Sequence, residues 1–182
     1  MDSSDKLTLA IATMSFLISV IGTILANIRS KEARDDARAA RSDAYWSSAI
    51  EAAQRFIGFD PSAKEVTDEL LNLRVSHAEL VDAIDWPELG PWLEVERALC
   101  LGFGREVMDI GVPNPTVDQK LAQLHNASDW AQKLVSNLRM FRRRAYKEAK
   151  PELIKLREAH RTQASALYEK YGWEKPPNFD KL

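Results

Sequence analysis

The sequence predicts an all-α protein: a single N-terminal transmembrane helix followed by a cytoplasmic antiparallel helical bundle of about four or five helices. Three observations carry this. Residues 7–28, LTLAIATMSFLISVIGTILANI, contain no charged residue and no proline. Apolar residues in the rest of the chain recur at intervals of four and three, the period of an amphipathic helix. Glycine and proline, only 7 and 8 in 182 residues, fall mainly between these periodic runs, where short breaks favour antiparallel neighbours.

At about 1.5 Å per residue, the leading segment reaches roughly 33 Å as a helix, enough to span the roughly 30 Å hydrocarbon core of a bilayer. A cleaved signal peptide would have a shorter apolar region behind a basic start, whereas Asp2 and Asp5 accompany Lys6 here. A buried core helix would show a polar face, and Thr8, Thr13, Ser15, Ser19 and Thr23 are too weakly polar to make one. Arg29, Lys31, Arg34, Arg38 and Arg41 follow the segment and only Lys6 precedes it. Positive-inside bias therefore places residues 1–6 outside and the C-terminal part in the cytoplasm, in the inner (plasma) membrane. Ala12, Ser15, Ser19, Gly22, Thr23 and Ala26 form a small-residue stripe, a candidate transmembrane association face.

Residues 29–44 read as a charged, alanine-rich juxtamembrane stalk, helical because neither glycine nor proline lies between Gly22 and Gly58. The bundle is assigned to residues 45–174. Its first face is Trp46, Ala49, Ile50, Ala53, Phe56 and Ile57, large enough to dock on other helices. Asp60 and Pro61 offer a cap and a first-turn proline for the next helix, residues 63–84. There Val66, Leu70, Leu73, Leu80 and Ile84 keep the rhythm, with His77 in the gap.

DWPELGP, residues 85–91, is a turn. A helix over 92–110 follows, with Trp92, Val95, Leu99, Phe103 and Val107 or Ile110 inward. Gly102 and Gly104 weaken it or permit a close approach. After GVPNP, residues 111–115, Thr116 caps a long helix to Lys150, with Val117, Leu121, Leu124, Ser128, Ala131, Val135 and Leu138 on one face. Pro151 should kink or divide that pattern. A last face comprises Leu153, Leu156, His160, Ala164, Leu167 and Tyr171, ended by Gly172. Residues 175–182 are expected to be a loose tail.

Cys100 is the single cysteine, which excludes an intrachain disulfide, and its apolar neighbours predict a buried, inert thiol. His77 and His160 sit on apolar stripes, as core histidines do. His125 has Asp129 one turn ahead, too few donors for a metal. Neither a Cys-x-x-Cys nor a His-Glu-x-x-His motif is present, and there is no phosphate loop or nucleophile elbow. No catalytic residue, cofactor or metal is assigned.

A net charge of −2 hides an asymmetry. Residues 45–115 hold 5 basic and 13 acidic residues, residues 116–182 hold 14 and 8. Arg139, Arg143, Lys147 and Lys150 would share one face of a continuous helix. This basic stripe is a candidate contact for a protein partner, for acidic helices of the same bundle or for anionic headgroups. Nucleic acid is disfavoured, because no recognition motif accompanies the stripe. The sequence thus predicts a membrane-anchored scaffold, adaptor or regulatory subunit acting by binding, to lipid through its anchor and to a protein partner or its own copies. The alternative is a membrane-active effector that oligomerises through its span.

Overall fold

The computed structural model describes residues 3–58, 66–108 and 114–179, without the side chains of residues 3–22, Ile24, Asp35, Arg38 and Val66. Five helices and no strand are found among them: α1 (Ser3–Gln54), α2 (Val66–Ala83), α3 (Leu89–Val107), α4 (Val117–Arg142) and α5 (Tyr146–Tyr171). The chain divides into two units, Met1–Arg41 and Ser42–Leu182.

In the first unit α1 runs unbroken through Gly22, no proline interrupting it. Thr23, Leu25, Ala26 and Ile28 are exposed. Among the described residues no helix is long and apolar enough to cross a membrane. Most side chains of the expected span, residues 7–28, lie outside the described residues, as do those of Ala12, Ser15, Ser19 and Gly22 in its association face.

The second unit is a helical bundle. Arg55 of α1 meets Glu69 near the start of α2, and Trp46 meets Trp86 just past its end. Phe56 meets Trp130 of α4, and Asp43 meets Arg142 at its end. Both pairings are antiparallel. On α3, Trp92 contacts Phe141 and Phe103 contacts Trp130, again antiparallel. Glu88, Ala98 and Glu106 meet Tyr146, Tyr168 and Tyr171 of α5 in the same order. Consecutive helices α3 and α4 therefore run in opposite directions, and the alternate pair α3 and α5 is parallel.

Most of α3 is covered, with Glu94 left exposed. Trp92, Val95 and Leu99 are completely buried, and Phe103 and Val107 nearly so. Gly102 permits the close approach of α5, since a Cβ there would stand 2.6 Å from Leu167 Cδ2. The α1 face holds Trp46, Ala49, Ile50, Ala53 and Phe56 inside, while Ile57 is 38% exposed. Leu73, Leu80 and His77 are buried on α2. Thr116 caps α4 through a reciprocal box with Gln119, satisfying two backbone groups at the helix start.

Three expectations are corrected. The 116–150 helix is two helices, broken at Arg143–Ala145 and not at Pro151, which lies inside α5. The break costs no core contact, because residues 142–145 are all exposed, while Phe141 and Ala149 on either side are fully buried. Pro151 is the sixth residue of α5 and removes one i→i−4 hydrogen bond, a local cost that packing on α3 overrides. Second, the first turns of α4 leave Val117 and Leu121 exposed at 76% and 61%. Third, residues 175–179 do not form a loose tail: Phe179 is 2% exposed and stacks on Tyr168 at 6.4 Å. Burying one aromatic ring offsets the ordering of a few residues. Asp60, Pro61, Ile110 and residues 111–113 and 180–182 lie outside the described residues.

Candidate functional site

The α4–α5 break separates the basic stripe. Arg139 occupies the last turn of α4, Arg143 is its C-cap residue, and Lys147 and Lys150 begin α5. Lys150, though exposed, is paired within the chain: its ammonium lies 3.0 Å from Glu88, which also accepts a hydrogen bond from the Tyr146 hydroxyl. That hydroxyl, then Lys150, holds the Glu88 carboxyl below the usual carboxylate range. Arg142 is similarly engaged, donating from Nε to Asp43 at 2.6 Å and from a second nitrogen to the other oxygen. The fork geometry of guanidinium and carboxylate sets this contact between α1 and α4.

Arg139, Arg143 and Arg144 are exposed, and none is paired with a carboxylate among the described residues. All three line a groove of about 720 Å³ with Gln54, Ile57, Gln132 and Met140. A neighbouring depression of about 600 Å³ shares Gln54, Arg139 and Arg143 with it and continues to Ser47, Ile50, Arg142 and Glu51, whose carboxylate is paired with Arg55 at 3.3 Å. The groove follows α1 from residue 47 to 57, about 15 Å or three helical turns. Its apolar lining is Ile57 and Met140 with the buried Ile50 and Val135, 6% and 3% exposed, among the polar Ser47, Gln54, Gln132 and Ser136. Guanidinium groups beside apolar side chains suit an anionic partner that also carries apolar side chains.

Behind this surface lies a set of acidic groups that sequence reasoning missed. Glu96 of α3 is completely buried, accepting from Trp130 Nε1 at 2.8 Å and facing His160 Nδ1 at 2.5 Å. Glu106, 2% exposed, accepts from the Tyr171 hydroxyl at 2.6 Å and lies 3.4 Å from Lys170. With Glu88 they form three contacts between the acidic half of the sequence and the basic half. The signal was available: Glu96 and Glu106 lie one residue after Val95 and Arg105, in phase with Trp92, Leu99 and Phe103, where a solvated carboxylate does not belong.

His160 is therefore a hydrogen-bonded histidine. Burial depresses its proton affinity, but the Glu96 hydrogen bond and charge outweigh burial and lift its pKa above the ordinary value of 6.5. His77 differs. It is 4% exposed with neither ring nitrogen hydrogen-bonded, and burial, aided by Arg97, lowers its pKa to about 3. Cys100 is buried, its thiol pushed well above 9 by burial and then by the Glu96 charge. No group of three or more potential metal ligands occurs among the described residues.

The geometry defines a class only by architecture, an up-and-down helical bundle whose two charge-biased halves contact each other along α3 and α5. Compared with known proteins, the chain matches no protein-family model, no curated protein and no solved structure.

Proposed function

We propose that this protein is a single-pass membrane protein whose helical bundle acts by binding, as a scaffold, adaptor or regulatory subunit of a membrane complex. Residues 7–28 are its anchor and the bundle faces the cytoplasm. The observation that supports the reading is the groove between α1 and α4, where Arg139, Arg143 and Arg144, without a carboxylate partner among the described residues, stand beside Ile57 and Met140. Guanidinium groups left without such a partner, unlike Arg142 and Lys150 that have one, are available to another molecule.

In-cell crosslinking of the full-length protein tests this, comparing wild type with the Arg139→Glu/Arg143→Glu variant. The expected result is loss of specific crosslinked partners with the protein still retained on membranes. An unchanged set overturns the groove as the contact surface, and release by carbonate overturns the anchor. A membrane-active effector working through Ser19 and Gly22 would instead lose self-association or toxicity on Ser19→Leu/Gly22→Leu substitution, and keep it on charge reversal.

A further inference from the structure

The groove has a complement on the same chain. The outer face of α2 carries Asp68, Leu71, Val75, Ala78, Glu79 and Asp82, all exposed. With 3.6 residues per turn, these six fall within roughly a 100° arc. Leu71 and Val75 are 56% and 49% exposed, unusual for large apolar side chains on a packed bundle helix. The three carboxylates carry no ion pair among the described residues.

From these observations we infer that the acidic, apolar-centred face of α2 on one copy docks into the arginine-rimmed groove between α1 and α4 on a second copy. This goes beyond the proposed binding role by naming a second copy of the chain as the occupant. The match is in kind, sign and length. Leu71 and Val75 meet Ile57 and Met140, the apolar side chains of the groove that keep exposed surface, and Glu79 and Asp82 meet Arg139, Arg143 and Arg144. Residues 68–82 rise about 21 Å, enough to cover the roughly 15 Å of groove. Each carboxylate placed against a guanidinium gains a charge-assisted hydrogen bond, and the paired apolar surfaces leave water together.

Because α2 packs beside α1 through Arg55 and Glu69 with its outer face exposed, the face and the groove are different surfaces. The contact is heterologous: every copy presents one acidic face and one groove. Such head-to-tail joining builds rings or open arrays, not an isologous pair.

Sedimentation velocity of the full-length chain in neutral detergent tests the contact with four proteins. They are wild type, Arg139→Glu/Arg143→Glu, Glu79→Lys/Asp82→Lys, and the four substitutions combined. Wild type is expected to associate with increasing concentration, less so at high salt, because exposed charges are screened. Each double variant should raise the apparent Kd at least tenfold. An equimolar mixture of the two double variants should recover association, the two alternating along the assembly, since each variant's face then meets a groove of opposite charge. The combined variant should recover wild-type association with the charges exchanged, which also shows that it folds.

Association unaffected by either reversal overturns the inference, as does a mixture that stays unassociated. Sensitivity to the groove reversal alone, or arginine-dependent binding to phosphatidylglycerol vesicles without self-association, also overturns it. In those cases the in-cell crosslinking decides separately whether the groove binds a different partner. Joining through the small residues of the anchor would be common to all four proteins and so forms their shared baseline.

Discussion

Glu96 Oε1 lies 2.5 Å from His160 Nδ1, and the carboxylate has no exposed surface. A buried carboxylate is tolerated only when its charge is balanced and its oxygens bonded, and here His160 and the Trp130 indole supply both. The pair fixes α5 to α3 at mid-length, with α4 contributing the indole.

A proton-linked contribution to stability follows. The folded-state pKa of His160 is raised, so its stabilising effect is complete below the unfolded value of about 6.5 and is lost as pH rises through the higher folded value. Glu96→Gln should abolish that loss, because neutral glutamine exerts no charge on the ring. Chemical denaturation of both proteins between pH 6 and 9 measures it. Parallel pH profiles would show that the carboxylate does not hold the proton on His160.

His77 should act with the opposite sign. Its folded pKa of about 3 lies below the ordinary 6.5, so the unfolded state takes up a proton first as pH falls. The bundle should lose about 1.4 kcal/mol per pH unit below about 6 from this group alone. His77→Leu removes two unbonded ring nitrogens from the core and should make stability flatter between pH 7.5 and pH 5, by about 2 kcal/mol relative to wild type over that interval. Equal slopes from denaturation at the two pH values would contradict this account.

Cys100 should be silent in the native protein. A buried thiol whose pKa is raised presents little thiolate, so a water-soluble thiol reagent should react at least a hundredfold more slowly than in denaturant. The rate in native buffer should track opening of the bundle and rise in Glu96→Ala, where the Trp130 and His160 partner is gone. Fast native labelling would place the thiol at the surface.

Phe179 should anchor the chain end. Phe179→Ala removes a ring that stacks on Tyr168 and is 2% exposed, a loss of about 3 to 5 kcal/mol in unfolding free energy. Tyr168 should then become more accessible to solvent, which tyrosine fluorescence quenching can follow. A change below about 0.5 kcal/mol would mean that residues 176–179 contribute no packing.

Read residue by residue, the sequence determined the helical class, the faces of α1 and α3, the Thr116 cap and the Gly172 stop, because periodicity, capping and glycine's left-handed conformation are local properties. Tertiary structure decided the rest. Local rules put the break at Pro151, but the chain turns at Arg143–Ala145, where reversal uncovers no core residue. Position in the sequence made the final residues a tail, but the Tyr168 ring gave Phe179 something to stack on. One helical wheel gave Arg139, Arg143, Lys147 and Lys150 a common role, and only the fold separated Lys150, paired with Glu88, from Arg139 and Arg143 in an open groove. Whether a charge is spent inside the bundle or left for another molecule depends on which helix crosses it, and helix crossings are set by long-range packing that no local pattern contains.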